Sequence, residues 1–481
     1  MKGFLKVLGI TIGVLMLAAV TAYFVWFNNP YEHTLKLDPD KVYSPDGQDY
    51  LITNAKIIDV EAGIVHEDRH LIVRNGIIDR IIEGPIPEDL STRFTVTDAE
   101  NRFLMPGLID MHAHLNSGGL IAPDSTTRPM ALEQFARYGV STIFTLGGHG
   151  FDQQITADLI RKQKNNKLVA PQILAAGDII TAPGGYPIPL LPMMTGIPAD
   201  EIDVNEQGIL TVTEETDLNA VFSRKKELGL NGVKVMVETG LGGASTEPRL
   251  SNEMVQNIVQ KASTFDLPVF AHVSRQDDLE DAINARVDVI VHTVGDQVLT
   301  NAKYLFEKMK ADSIYYVPTL SIAYMYEYTA SAEILDDPFL LPYRSERTHR
   351  SLENWPVRQM MVKSSGIDPA EHKDNMLQNF SLFYDAGVPI MMGSDAGNPS
   401  VIPGYSAHKE LEFMSQAGMS NAEVLRVATI IPARFLNLDD TIGTIDEGKT
   451  ASFLLLDDNP LEDILNTRSI HRIMIEGYWI E

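Results

Sequence analysis

The sequence contains no cysteine among its 481 residues. That absence excludes a disulfide framework, a thiolate metal site and a cysteine nucleophile, so any bound metal needs other ligands, above all histidine or carboxylate. Basic residues are also scarce, because 39 lysines and arginines face 65 aspartates and glutamates and leave a net charge of −26. Such a balance argues against nucleic-acid binding, which needs clustered basic side chains. The hydrophobic fraction of 44% is ordinary for a globular protein with a large core.

Residues 1–30 differ from the rest of the chain. Lys2 and Lys6 precede an uncharged run, Val7–Phe27, which as a helix is long enough to cross a bilayer core of about 30 Å. We favour a membrane anchor over a cleaved signal peptide, for which Val20–Ala22 offers a cleavage site. Because basic residues before such a run stay in the cytoplasm, the rest of the chain is expected outside it, at the membrane in the periplasm or on the cell surface, or secreted if the segment is cleaved.

Sequence patterns divide the remainder into four segments. Residues 31–48 are polar and proline-containing and read as a linker, and residues 49–104 are rich in strand signals. Residues 105–437 alternate short apolar runs with amphipathic stretches, which is typical of repeated βα units. The eight runs predicted as strands, the first of which begins just before this segment, are Phe103–Met111, Thr142–Leu146, Gln172–Ala176, Val233–Val237, Val269–His272, Val289–His292, Ile314–Thr319 and Val388–Met392. Residues 438–481 return to strand signals. The prediction is an α/β protein with a (β/α)8 barrel over residues 105–437.

Six polar residues lie at the ends of the predicted barrel strands: His112, His114, Lys234, His272, His292 and Asp395. His112 and His114 are two apart on one strand, so both side chains point to the same side and can face one ion. Lys234 lies in an apolar run, where burying an ammonium group is costly. A single histidine at a strand end is more often a hydrogen-bonded core residue. Because catalytic groups of barrels gather at the carboxyl ends of the strands, the six are expected to converge.

Six short motifs carry a family resemblance: Met105–His114, Gly232–Lys234, Ala271–His272, Val291–His292, Val317–Leu320 and Gly393–Gly397. With them the sequence resembles the amidohydrolase superfamily, in its binuclear-metal branch of prolidase-like and imidazolonepropionase-related proteins. The resemblance covers nearly everything after the linker. It implies a metal-bearing (β/α)8 barrel and a small β-sandwich domain built from the strands of residues 49–104 and 438–481.

The resemblance also implies a metal centre with two divalent ions, zinc by default since nitrogen and oxygen ligands suit it. His112 and His114 would bind one ion together with Asp395, and His272 and His292 would bind the second. Lys234 would bridge both ions as a carboxylated lysine. The implied reaction is hydrolysis of a carbon–nitrogen amide bond by a metal-bridging hydroxide, with Asp395 as general base and then general acid.

One departure from the superfamily bears on the choice of reaction. Its mononuclear deaminases usually carry a glutamate shortly after the strand-5 histidine, whereas His272 is followed by Val273–Gln276. Together with Lys234, this favours amide hydrolysis of a dipeptide, as in a prolidase-like dipeptidase, or of an N-acyl amino acid. The alternatives are a lactonase or phosphotriesterase-like activity, a deaminase on the same barrel, and a non-catalytic membrane-tethered scaffold.

Three residues are candidates for substrate binding. Arg275 can pair with a substrate carboxylate, although a surface salt bridge is the competing interpretation. His149 follows a predicted strand, and Tyr186 stands where prolidase-like relatives often have a histidine. The long insertions Tyr186–Glu215 and Ser321–Asn375 are expected to act as lids or subunit contacts, which leaves a homo-oligomer open.

Overall fold

The computed structural model describes residues 49–480, except 88, 117–126, 149–152, 166–167, 241–246, 332, 344–345, 355, 357, 360–361 and 364–365. The expected membrane anchor, residues 1–30, and the linker, residues 31–48, lie outside the described residues, so both stay predictions. Among the helices that are described, none is both long enough and apolar enough to span a bilayer.

The described chain is built from short strands and helices that alternate over most of its length. The strands are β1 (Tyr50–Asp59), β2 (Ile64–Arg74), β3 (Ile77–Glu83), β4 (Thr95–Asp98), β5 (Phe103–Pro106), β6 (Leu108–Ala113), β7 (Val140–Thr145), β8 (Gln172–Ala175), β9 (Ile179–Thr181), β10 (Ile209–Thr211), β11 (Val233–Met236), β12 (Val269–His272), β13 (Val289–Val291), β14 (Tyr315–Val317), β15 (Phe453–Leu456), β16 (Ile470–Ile475) and β17 (Tyr478–Ile480). The α-helices are α1 (Thr127–Arg137), α2 (Gln153–Lys164), α3 (Leu191–Thr195), α4 (Leu218–Glu227), α5 (Asn252–Ser263), α6 (Gln276–Asn284), α7 (Lys303–Ala311), α8 (Ser321–Ser331), α9 (Glu346–Glu353), α10 (Pro369–Asp385), α11 (Tyr405–Gln416), α12 (Asn421–Val427) and α13 (Ile430–Phe435).

Strands from both ends of the described chain form one sheet. Its order is β17-β16-β15-β5-β1-β2-β3, with β4 also paired to β1. Strand β5 lies between β15 and β1, antiparallel to β15 with Met105 opposite Leu454, and parallel to β1. Alternate apolar side chains of these strands, including Ile52, Leu104 and Phe453, pack into a core of their own. The amino-terminal and carboxy-terminal strands therefore share one structural unit.

The apolar run Phe103–Met111, which the sequence pattern reads as one barrel strand, is split in the structure. Its first part is β5 of the terminal sheet, and its second part opens β6 of the barrel. Gly107 separates them, and a Cβ atom there would lie 2.3 Å from the hydroxyl oxygen of Ser141. Only glycine allows the backbone to approach β7 this closely.

The barrel is a closed ring of parallel strands. Strands β6, β7 and β8 pair in order, and β11, β12, β13 and β14 continue the ring. The backbone N–H of Asn231 donates to Ala175 at 2.7 Å and joins β8 to the start of β11. The eighth predicted strand, Val388–Met392, appears as an isolated bridge between Ile390 and Tyr316, and Met111 N–H donates to Met392 at 3.0 Å. This segment therefore closes the ring between β14 and β6.

The two insertions carry structure of their own. The first contains α3 and β10, and β10 adds to the barrel sheet by pairing in parallel with β9. The second contains α8, α9 and part of α10. Both leave the barrel from the carboxyl ends of its strands, the face at which the six predicted site residues lie.

Candidate metal centre

Four strand ends and one closing segment supply the polar groups of the site. His112 lies on β6 with His114 just after it, Lys234 lies on β11, His272 ends β12, His292 follows β13, and Asp395 follows the closing segment. In the register of β11 and β12, Lys234 is opposite Phe270 and Met236 is opposite His272. The strand-end positions expected from the sequence are thus the positions observed.

The four histidines form one continuous group. The ring centroids of His112 and His114 are 5.2 Å apart, those of His112 and His292 are 4.8 Å apart, and those of His272 and His292 are 4.2 Å apart. A nitrogen of His112, a nitrogen of His292 and a carboxylate oxygen of Asp395 all lie within 4.8 Å of one another, a grouping that can hold a metal ion. Residues spread over almost 300 positions of sequence therefore meet at one point.

The contacts of Asp395 suit a metal ligand. Its Oδ1 lies 2.9 Å from Nε2 of His114 and 3.3 Å from Nε2 of His112. This oxygen and both ring nitrogens of His112 are buried and have no hydrogen-bond partner among the described residues. Buried polar atoms are almost always satisfied, so atoms that converge without hydrogen bonds indicate a site built for an ion.

Two of the imidazoles are fixed by a second contact. Nδ1 of His114 lies 2.5 Å from the carbonyl oxygen of Gly147, an acceptor only, so Nδ1 carries the proton and Nε2 keeps its lone pair. Nδ1 of His292 lies 2.9 Å from the hydroxyl oxygen of Thr319. Such outer contacts orient metal-binding histidines in general.

The charge states of the buried histidines suit metal ligands. Burial lowers the pKa of His112 well below its usual value, and the nearby Lys234 lowers it further. Burial also lowers the pKa of His292, with His272 adding to the effect. Both imidazoles are therefore neutral near pH 7, the state in which a histidine binds a metal.

Lys234 is only 2% exposed, and its Nζ has no hydrogen-bond partner within the described residues. Burial lowers its pKa to about 7, although the carboxylates of Asp395 and Glu238 act in the opposite direction. A large fraction of the side chain is therefore an uncharged, nucleophilic amine at neutral pH.

Asp110 holds the first strand of the barrel to the segment that carries Asp395. Its Oδ1 accepts hydrogen bonds from the backbone N–H groups of His112 at 3.1 Å and Ser394 at 3.0 Å, and its Oδ2 accepts from the Ser394 hydroxyl. The buried carboxylate thereby fixes two metal-site segments relative to each other. Sequence reasoning did not single it out, although it stands two residues before His112.

Three strand-end residues of the site have left-handed backbone conformations. The φ angles are 77° at His292, 49° at Thr319 and 55° at Asp395. Such a conformation is unfavourable for a β-branched residue such as Thr319 and costs about 1–3 kcal/mol. The carboxylate of Glu410 offsets part of this cost, because it accepts the backbone N–H groups of Leu320 and Ser321, each at 2.7 Å.

Glu238 is the other site residue that sequence reasoning missed. It is 1% exposed, and its Oε2 lies 3.1 Å from Nε2 of His272. Burial raises its pKa, but the charge and hydrogen bond of His272, a hydrogen bond from Ser274 and the charge of Lys234 together hold the pKa below its usual value. The one signal in the sequence is an acidic residue at the end of the apolar run Val233–Val237.

The three candidate substrate residues have different outcomes. Tyr186 is half-buried with its ring centroid 5.8 Å from that of His272, so it borders the site. Arg275 lies between β12 and the first residue of α6. Burial raises the pKa of Asp296, and the charge of Arg275 opposes part of that rise. His149 lies outside the described residues. The substrate roles of all three stay predictions.

The parallel barrel and its strand-end cluster of histidines, lysine and aspartate define the class of metal-dependent barrel hydrolases. A comparison with protein families agrees, since the model of the amidohydrolase family matches residues 103–480. The chain therefore belongs to the amidohydrolase family, and it is a hydrolase that acts on carbon–nitrogen bonds.

Individual relatives are distant but cover most of the chain. An ochratoxinase of Aspergillus niger is 23% identical over 474 residues, which covers 91% of this chain and 87% of that protein. The crystal structure of the A. niger ochratoxinase aligns with a TM-score of 0.65 at 20% identity, over 90% of this chain and 96% of that one. A crystal structure of an Xaa-Pro dipeptidase with bound methionine aligns with a TM-score of 0.67 at 24% identity, over 90% of this chain and all of that one. At these identities the structural likeness shows the fold alone.

Proposed function

We propose that the protein hydrolyses the amide bond of a dipeptide or an N-acyl amino acid in a binuclear metal centre. The observation that carries the proposal is the convergence of four imidazoles, one buried lysine and one aspartate at the carboxyl ends of the barrel strands. Several of their buried polar atoms are unsatisfied by the rest of the described chain.

The donor set fits two divalent ions, with zinc as the default. His112, His114 and Asp395 would hold one ion, and His272 and His292 the other. Bound ions lower the pKa of water and polarise a scissile carbonyl. Donors that lie on the barrel strands or directly after them are held by the barrel, which keeps the geometry of such a site rigid.

Lys234 would complete the centre as a carbamate. Its uncharged amine would add to carbon dioxide, which forms one N–C bond, breaks one N–H bond with release of the proton, and leaves an anion with two oxygen donors in place of the neutral amine. The low pKa that burial gives the amine supports this step, because only the unprotonated form reacts. The change also removes the cost of burying an unpaired ammonium group.

Asp395 would transfer the proton. Its carboxylate takes a proton from the attacking water and delivers it to the leaving nitrogen as the C–N bond breaks. One carboxylate can do both only if it lies within hydrogen-bond reach of both atoms. The position of Asp395 at the centre of the histidine group supports this role.

The substrate class rests on weaker support than the chemistry. An Xaa-Pro dipeptidase is among the proteins of similar fold. Tyr186 borders the histidine group, and Arg275 follows the strand that ends in His272, so both are candidates for contacts with a substrate carboxylate or amide. A guanidinium group binds a carboxylate through two parallel hydrogen bonds.

We also propose that the catalytic part acts outside the cytoplasm, tethered by residues 1–30. The support is the uncharged run Val7–Phe27 with lysines before it. Protease added to cells stripped of their outer layers should degrade the catalytic part if the proposal holds. Full protection until the cytoplasmic membrane is permeabilised would contradict it.

The central experiment combines metal analysis with a substrate screen on the purified full chain. After supplementation with Zn²⁺ and bicarbonate, we expect close to two ions per chain and hydrolysis of at least one dipeptide or N-acyl amino acid. Lys234→Met should lose activity, whereas Lys225→Met should not. Lys225 is a matched control, because it is also buried but donates to the backbone carbonyls of Ala176 and Asp178 away from the cluster. Fewer than one ion per chain together with no hydrolysis would overturn the proposal.

A further inference from the structure

Three histidines of the centre have a contact on the side of the ring away from the proposed ion, and one of these contacts is a carboxylate. His114 contacts the carbonyl of Gly147, His292 contacts the hydroxyl of Thr319, and His272 contacts Glu238. The carboxylate contact differs from the other two because it brings a full negative charge to the imidazole.

The described contacts of Glu238 lie at the candidate metal centre and the residue Ser274 beside it. Its side chain is fully buried, and its carboxylate faces the imidazole of His272, the hydroxyl of Ser274 and the side chain of Lys234. Burying an unpaired carboxylate costs several kcal/mol, so a position like this needs a compensating interaction. Nε2 of His272 lies 3.1 Å from Oε2 of Glu238 and supplies such an interaction.

The chemistry of imidazole fixes what this contact does. A carboxylate can only accept a hydrogen bond, so the ring nitrogen that faces it carries the proton. The other ring nitrogen then keeps its lone pair, and in His272 that nitrogen is Nδ1. A carboxylate–histidine–metal arrangement of this kind sets the tautomer, orients the ring and raises the basicity of the ligand.

We propose that Glu238 is a positioning residue that accepts the Nε2 proton of His272 and presents Nδ1 of that ring to the second metal ion. The inference rests on the proposed binuclear centre and adds a residue that acts through a ligand rather than on the ion. The inference predicts that Glu238 affects the affinity of the second ion, which His272 would bind. The affinity of the first ion should stay almost unchanged, because its proposed ligands are His112, His114 and Asp395 and do not include His272.

The test is a metal titration of the chelator-treated full chain with Co²⁺, followed by its visible absorption and by competition with a chromophoric chelator. Two variants weaken the contact between Glu238 and His272 to different degrees. Glu238→Ala removes it and should weaken the second ion by about 10- to 100-fold. Glu238→Gln keeps an acceptor oxygen in the same place without the charge, so it should bind the second ion more weakly than the wild type and more tightly than Glu238→Ala.

Glu133→Gln is the matched control, because Glu133 is a buried glutamate on α1 that pairs with Arg137 at 2.8 Å instead of a histidine. It should leave both affinities unchanged. If Glu238→Ala fails to fold, Glu238→Gln alone decides, since the amide has nearly the same shape as the carboxylate.

The outcomes separate the inference from the proposed function. A wild-type chain that binds fewer than one ion would contradict the metal centre itself. A wild-type chain that binds two ions, with a folded Glu238→Gln variant that binds the second equally tightly, would overturn only the role of Glu238. Equal losses in Glu238→Gln and Glu238→Ala would also overturn it, because charge alone would then account for the effect.

Discussion

Replacing Lys234 with methionine tests whether burial lowers the pKa of the Lys234 amine and so makes the stability of the folded protein depend on pH. Methionine is similar in size and apolar, so the change removes the titrating group while filling the same space. The folded-state pKa is about 7 against 10.5 for a free lysine. The unfolded chain therefore binds more protons than the folded chain between these two pH values, and the stability of the metal-free wild type should rise with pH in that window.

The size of the effect follows from the same two values. The difference between 10.5 and about 7 corresponds to about 5 kcal/mol of destabilisation when the lysine is charged in both states. Roughly 2 to 3 kcal/mol of this is relieved between pH 6 and pH 9. The Lys234→Met variant lacks this contribution, and every other titrating group is common to both proteins.

The assay is urea denaturation of the metal-free wild type and Lys234→Met in buffers depleted of carbon dioxide, at several pH values. The unfolding free energy of the wild type, minus that of the variant, should increase by about 2 to 3 kcal/mol from pH 6 to pH 9. A difference that stays flat across this range would refute the reasoning. Adding Zn²⁺ and bicarbonate should then stabilise the wild type and Lys225→Met much more than Lys234→Met.

Three further predictions concern the same centre. Asp395→Asn should reduce turnover by about 10²- to 10⁴-fold while the ion content by elemental analysis stays near that of the wild type, and unchanged turnover would exclude its role in proton transfer. Glu410→Gln should lower the free energy of unfolding by about 1–3 kcal/mol in urea denaturation, because Leu320 and Ser321 donate to different oxygens of Glu410 and the substitution turns one of these acceptors into an NH2 donor; a loss below about 0.5 kcal/mol would speak against it. Chelation should abolish hydrolysis, and Zn²⁺ with bicarbonate should restore it; activity that survives complete metal removal would contradict a metal-dependent reaction.

The strand-end positions of the candidate metal-site residues could be predicted from the sequence, because these positions follow from chain direction. Each of His112, Lys234 and His272 lies in or ends a short apolar run, and parallel strands bring such positions to one face of a barrel. The strand pattern was also a sound guide at β12, where Val269–His272 is the strand in both the sequence and the structure.

What the sequence could not show are the contacts between neighbouring strands and loops. Glu238 lies beyond the end of β11, and its partner His272 is on the next strand, so no spacing along the chain relates them. The split of Phe103–Met111 into two strands was missed for a similar reason. Both halves are apolar and β-forming, and only the close approach of Gly107 to Ser141 marks the break.

The central position of β5 in the terminal sheet bears on how the protein is made. One edge of β5 pairs with β1, synthesised shortly before it, but the other pairs with β15, which follows about 350 residues later. At about 5–20 residues per second, the ribosome leaves that edge open for tens of seconds. An exposed strand edge is a template for pairing with other chains. The nascent chain should therefore depend on chaperones until its last strands emerge.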